Sequence, residues 1–288
     1  MVAEAVAACN RRARSHGVGS RTRDHAAAAN VDVDADVDVE AALGPERNRL
    51  NNAKLTAIST RREQTMIVVH HLNNSRSQRI LWLLEELGLD YEIRKYQRDP
   101  ATMLAPPELR AVHPLGKSPV ITDGAATVAE SGAIIDYLLE RYGNGRLAPA
   151  AGTPDRLRYT YFLHYAEGSA MTPLLLKLVF DRVETSPMPF FAKPIARAIA
   201  RKVKGGYVAP QIKQHLDYME AELGKAQWFA GDAFSGADIQ LSFVLEAARA
   251  RGGLDDHYPN LTAFLARIHA RPAYQRALER GGKYDFAT

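Results

Sequence analysis

Apolar and polar positions follow two rhythms along this chain, and the change falls near residue 143. Before it, Met66-Ile67-Val68-Val69 is a β-branched run of the kind that fills a buried strand. Asn73 and Asn74 then turn the chain. Ile80, Leu81, Leu83, Leu84 and Leu87 recur at helical spacing, and Gly88 follows as a C-cap. Tyr91-Glu92-Ile93 alternates as a second strand, so the unit is a right-handed crossover between parallel strands. Val120-Ile121-Thr122, a turn at Asp123-Gly124 and Thr127-Val128-Ala129 predict a hairpin. A helix from Ser131 carries Ile134, Ile135, Leu138 and Leu139 on its inner face.

Residues 143–154 are rich in Gly, Pro and Ala and read as a linker. Beyond them strand signals cease. Long apolar-periodic stretches over about 155–183, 189–224, 235–251 and 261–278 predict a helical bundle. The expected fold class is α/β plus all-α: a thioredoxin-like domain over 66–143, a linker over 144–153 and an all-helical domain over 154–288. Within the last, Ser235-Gly236-Ala237-Asp238 reads as a capping box with Asp for the usual Glu, and Phe234 with Ile239 as its hydrophobic staple.

The first 65 residues follow neither rhythm. They hold no Phe, Tyr or Trp, although the chain has 9, 12 and 2 of these. Val31 to Val39 alternates Val or Ala with Asp in an Ala-rich context that offers little apolar surface to bury, so this segment is read as a disordered, low-complexity extension. Its early arginines leave an organelle-targeting segment open, and a start at Met66 would put the first strand at the terminus.

Composition narrows the chemistry. A chain of 288 residues accommodates two cored domains, and its net charge of +4 comes without a dense Lys/Arg block, so no nucleic-acid partner is expected. The apolar run around Leu174 to Phe180 is broken by Lys177 and far too short to span a bilayer, so no membrane partner is expected. Cys9 is the sole cysteine, which removes intrachain disulfides, Cys-based metal clusters and Cys-x-x-Cys redox chemistry. Any thiol must come from a ligand. His70 and His71 are adjacent on a strand and point to opposite faces, so they do not converge on a metal.

Three short stretches carry the candidate site. Asn74-Ser75-Arg76-Ser77-Gln78-Arg79 sets hydroxyls at a helix start, Gly116-Lys117-Ser118-Pro119-Val120 an X-Pro peptide before a strand, and Ala129-Glu130-Ser131-Gly132 an acid and a hydroxyl at a second helix start. Together they suit a small, charged, peptide-like ligand with its reactive atom near Ser75. Amides and the helix dipole there favour a thiolate, to which a hydroxyl can donate. Ser75 could equally cap the helix, and Ser77 is its local rival.

These residues, with Trp82-Leu83-Leu84-Glu85-Glu86-Leu87, His113-Pro114-Leu115-Gly116-Lys117-Ser118-Pro119, Phe234-Ser235-Gly236-Ala237-Asp238 and His269-Ala270-Arg271-Pro272-Ala273-Tyr274, resemble the cytosolic glutathione transferases from Met66 onward, closest to the serine-type, theta-like bacterial and fungal branch. The resemblance implies glutathione as co-substrate and no metal. It implies that Ser75, four residues before Arg79, activates the thiol, and that the Ser118-Pro119 peptide is cis and pairs with the ligand backbone. Lys117 would meet a carboxylate, and Glu130 with Ser131 the γ-glutamyl end. His70-His71-Leu72 stands where tyrosine-using relatives carry their phenol. Small hydrophobic electrophiles would bind between the domains near Tyr165, Ser169 and Met171. A cytoplasmic homodimer that conjugates glutathione, or reduces hydroperoxides with it, is the expected enzyme; the alternative is a non-catalytic binding or assembly module on the same fold.

Overall fold

β1, Ile67–Leu72, leads through helix α1, Ser77–Leu87, to β2, Tyr91–Tyr96. The computed structural model describes residues 66–100, 102 and 104–287, so the expectations for residues 1–65 lie outside it. A short helix α2, Pro107–Val112, precedes the hairpin of β3, Val120–Asp123, and β4, Ala126–Ala129, and then α3, Ser131–Tyr142. The four-stranded sheet has the order β2-β1-β3-β4, with β1 and β2 parallel and β3 antiparallel to both its neighbours. This is the predicted order of elements, with two differences. The second strand runs on to Tyr96, and as an edge strand it exposes Arg94 and Lys95. Asp123 pairs with Ala126, so the turn is Gly124-Ala125, and Gly124 takes the positive φ of 59° that lacks a Cβ clash only for glycine.

Helix α1 is buried on every side from Ser77 to Leu84 because it lies between the sheet and the helical part of the chain. Its outer face is fastened to the C-terminus. Trp82 packs edge-on against Tyr274 at 5.2 Å and donates from Nε1 to Glu86 at 2.8 Å. Glu86 also accepts from Arg271 at 2.6 Å, and Glu85 from Arg276 at 2.8 Å and Arg280 at 2.9 Å. The Trp82-to-Leu87 motif is therefore a joint between the two parts of the fold, with Gly88 closing the helix at φ 67°.

The helical part comprises α4 (Pro154–Tyr165), α5 (Met171–Thr185), α6 (Lys193–Val203), α7 (Ala209–Leu223), α8 (Gly236–Ala247), α9 (Pro259–His269) and α10 (Pro272–Gly281). A wide π-type turn, Ala166–Ala170, joins α4 to α5. The apolar stretch over 261–278 proves to be two helices. Arg271 is extended (ψ 130°) because Pro272 disfavours the helical region for the residue before it. The capping box forms as expected: Asp238 accepts from the Ser235 amide at 2.8 Å and from the Phe229 amide at 2.9 Å. Burial still pushes the Asp238 carboxyl up to about 6. Phe234 reaches beyond a local staple, packing on Trp228 at 5.0 Å and Trp82 at 5.5 Å beneath the Arg271 guanidinium.

Candidate active site

Strand register assembles the three stretches. His70 pairs with Val120, and Val120 with Ala129, so the end of β1, the start of β3 and the end of β4 lie side by side. Ser75, Lys117-Ser118-Pro119 and Glu130-Ser131 thus share one end of the sheet. Neighbouring strands are about 4.8 Å apart, so this row spans about 10 Å, the length of an extended tripeptide.

Ser75 sits in a loop held from both sides. The Asn73 amide donates to the Tyr96 carbonyl at 3.2 Å, and the Asn73 side chain accepts from the Arg98 amide at 3.0 Å. Asn74, at φ 49°, donates to the Asp285 carboxylate at 2.7 Å and accepts from its amide at 2.9 Å. The Ser75 hydroxyl accepts from the Ser77 amide at 3.2 Å, lies 2.8 Å from the Ser77 hydroxyl and 3.5 Å from that of Ser118. Ser77 is fully buried and bonded to His71 Nδ1 at 2.9 Å. The two hydroxyls are therefore distinct: Ser77 is the inner member of a relay and Ser75, the one selected by the family resemblance, the outer.

Burial pushes the His71 imidazole down to about 4, with the Lys95 charge adding to the effect. The unfolded histidine takes its proton near 6.5, the folded one not until about 4, so stability falls as pH drops across that window and is untouched above it. The window corresponds to about 3 kcal/mol. Urea unfolding at pH 7 and pH 4.5 should show a smaller loss in His71→Asn than in the unmodified protein. His70 faces the other side of the sheet, bonded to Tyr96 at 2.9 Å, as the strand alternation requires.

The Ser118-Pro119 peptide is cis. The Ser118 hydroxyl donates to the His70 carbonyl at 3.0 Å and accepts from the Leu72 amide at 3.3 Å, pinning the end of β1. Lys117 is exposed, following a buried Gly116 where any Cβ would meet Arg110 at 2.6 Å. Glu130 is exposed and held at φ 69°, a conformation that costs a non-glycine residue about 1–3 kcal/mol and recurs at ligand clamps. Ser131 opens α3.

Sequence reasoning used Arg79 only as a landmark; the structure makes it a keystone. Its guanidinium is 1 % exposed, bonded to the Gln240 carbonyl and Glu167, while Arg76 Nε meets both Glu167 oxygens at 2.9 Å. Both guanidiniums lie over the Phe243 ring. Burial pushes the Glu167 carboxyl up, but the charges and hydrogen bonds of Arg79 and Arg76 outweigh it and hold the group below its ordinary range. Burial and the charges of Arg76 and Arg182 lower the Arg98 guanidinium from its ordinary value. The available signal was a lone acid, Glu167, in the apolar stretch from Leu163 to Leu176.

The residues expected to receive the electrophile divide. Tyr165 is engaged by α7, its hydroxyl 2.7 Å from His215 Nδ1 and its ring against Tyr218 at 5.4 Å. Being two residues from Glu167, it lies on a different helix face from the one that meets α1. Met171, about one turn beyond Glu167, is half-buried against the main core, and Ser169 is half-exposed.

Comparison with known proteins agrees with this fold. Residues 64–140 match the N-terminal domain of glutathione S-transferases, and residues 202–272 their C-terminal domain. Glutathione S-transferase 1 of Saccharomyces cerevisiae is 35% identical over 223 residues, covering 75% of this chain and 95% of the relative. Glutathione S-transferase 3 of Schizosaccharomyces pombe is 34% identical, covering 75% and 88%. A glutathione S-transferase structure from Actinobacillus pleuropneumoniae superimposes with a TM-score of 0.63 at 35% identity, covering 77% of this chain and 96% of that one. A sphingomonad glutathione S-transferase complexed with glutathione gives 0.58 at 28% identity, covering 75% and 98%. A thioredoxin-like sheet followed by a helical bundle, with the matched length and identity of these relatives, makes this chain an enzyme of the glutathione S-transferase family.

Proposed function

We propose that this chain binds glutathione along the row from Ser75 to Ser131 and activates its thiol for attack on small hydrophobic electrophiles. Hydroperoxide reduction is a second chemistry open to the same thiolate. The observation that carries the reading is the chain of contacts from His71 through Ser77 to Ser75. With the His71 proton on Nδ1, that nitrogen donates to Ser77, and Ser77 donates to Ser75. The Ser77 amide fills the other lone pair of Ser75. Ser75 then has only its own O–H to offer; it reaches Ser118 by a long 3.5 Å contact and can turn from it to donate to a ligand sulfur. Moving a thiol from about 8.5 down by two units needs about 2.7 kcal/mol, which a charge-assisted hydrogen bond and a helix N-terminus together supply. The thiol proton leaves to solvent, the thiolate forms the new bond to the electrophilic carbon, and the leaving group departs with its electron pair. With a hydroperoxide, the thiolate attacks the outer oxygen and releases the alcohol, and a second glutathione displaces hydroxide to give the disulfide.

Glu130 accepts from the ligand ammonium, the Ser131 hydroxyl and amide hold the adjacent carboxylate at the start of α3, and Lys117 meets the far carboxylate. The assembly proposed from the resemblance is a homodimer with two such sites in the cytoplasm; light scattering at micromolar concentration checks its mass. Among the described residues no helix is long and apolar enough to cross a membrane.

Turnover of 1-chloro-2,4-dinitrobenzene and of cumene hydroperoxide by the purified chain tests the activity. No turnover of either, with glutathione still bound, would mark a binding module instead. Glu130→Ala should raise the KM for glutathione about tenfold or more while leaving the pKa of the bound thiol unmoved.

A further inference from the structure

Helix α6 and the turn before it leave an apolar edge uncovered. Phe190 is 85% exposed and Phe191 67%, and Ile195 and Ile199 follow one turn apart at 64% and 55%. Only Ala200 of α6 is buried, with Ala196 and Val203 half-buried on the side that packs. Lys193, Arg197 and Arg201 form a second row at the same spacing on the opposite edge. From Thr185 to Leu216 the sequence has no Asp or Glu but six cations: Lys193, Arg197, Arg201, Lys202, Lys204 and Lys213. Lys204 is engaged by Asp181 and Glu184, and Lys213 by Asp217. Among the described residues, no carboxylate lies within ion-pairing distance of Lys193, Arg197 or Lys202.

We propose that this edge docks the enzyme on an anionic phospholipid surface, with Phe190, Phe191, Ile195 and Ile199 entering the boundary between headgroups and acyl chains. An amphipathic helix with aromatic and aliphatic side chains on one face and Lys/Arg on the other lies in that plane, its apolar face a few ångströms deep. The charge pattern selects the occupant. A second copy of the chain, seated by two-fold symmetry on the same edge, would set Lys193, Arg197 and Lys202 against their own equivalents, while Arg201 alone of the row has an acid near it, Glu184 at 3.9 Å. An anionic bilayer neutralises them. Three unpaired cations near such a surface favour it over a neutral one by about a hundredfold. Helix α6, at 11 residues, is too short to span a bilayer. Docking is peripheral, and it is independent of the glutathione site.

Sedimentation of the full chain with sucrose-loaded vesicles tests this, comparing phosphatidylcholine alone with a mixture holding about a third phosphatidylserine. Binding to the mixed vesicles should exceed binding to the neutral ones by ten- to a hundredfold and fall steeply in 0.5 M salt. Phe190→Ser/Phe191→Ser should lose it by about tenfold or more while turning over glutathione in solution as before. A Lys193→Glu/Arg197→Glu variant should lose the preference for phosphatidylserine. Equal binding of the unmodified protein to both vesicles, or undiminished binding by the Phe variant, would overturn the proposal. So would failure to bind vesicles joined to a halved mass of the Phe variant by light scattering, which would make this edge a contact between copies.

Discussion

Ser75→Ala is expected to cut kcat for glutathione conjugation by one to three orders of magnitude, about 1.4–4 kcal/mol of barrier, and to raise the pKa of bound glutathione. Affinity for glutathione should change far less, because the contacts assigned to Glu130, Ser131 and Lys117 are intact. The relay makes the companion result specific. Ser77→Ala removes the hydroxyl that lies between His71 and Ser75, leaving the Ser75 O–H free to turn inward. It should lower the rate less than Ser75→Ala and should cost stability, since Ser77 is fully buried. A pH–rate profile should show one ascending limb, that of the thiol, and none from His71, which is held neutral from about 4 upward. Full activity in Ser75→Ala joined to loss in Ser77→Ala would move the donor inward by two residues. Full activity in both would leave activation to the helix amides.

The order of strands and helices was legible because it depends on local period, and the period is clean in both halves. Ile67 and Val69 sink into the core, while Leu72 joins Tyr96 and Leu109 on the far face, as alternation demands. What sequence concealed was long-range pairing. Asn74 read as a turn former, yet its side chain grips Asp285 some two hundred residues away. Glu85 and Glu86 carry no local sign of their partners, which are Arg271 just ahead of the last helix and Arg276 and Arg280 within it. Tyr165 was placed by the family resemblance, and a π-type turn just after it shifts the helical phase of the residues that follow. The site residues on strand ends were legible because register alone brings them together. Tyr165 at the end of α4, Ser169 in the π-type turn and Met171 at the start of α5 are set instead by helical phase, where a single residue decides what each touches.

Glu167 gives the second large effect, this time on stability. Its carboxylate is the shared partner of a guanidinium that is 1 % exposed and another that is 32 % exposed. Glu167→Ala leaves Arg79 charged, enclosed and without its acid, and loss of one partner of such a pair costs about 3 kcal/mol or more. Arg79→Met should cost clearly less, because the thioether fills much of the space over Phe243 while Glu167 keeps Arg76. Urea unfolding at pH 7 should rank them in that order; the reverse ranking would mean that the bond from Arg79 to the Gln240 carbonyl, not the ion pair, fastens α1 to α8. The pH dependence follows from the direction of the Glu167 shift. A carboxyl held below its ordinary value near 4.5 contributes stability that is full above that value and lost as pH falls through its lower folded value. The gap between the unmodified protein and Glu167→Ala should therefore be widest at neutral pH and narrow in acid below about 4. Turnover should fall alongside stability in Glu167→Ala, since Arg76 follows Ser75 directly and its release loosens the turn that aims the hydroxyl.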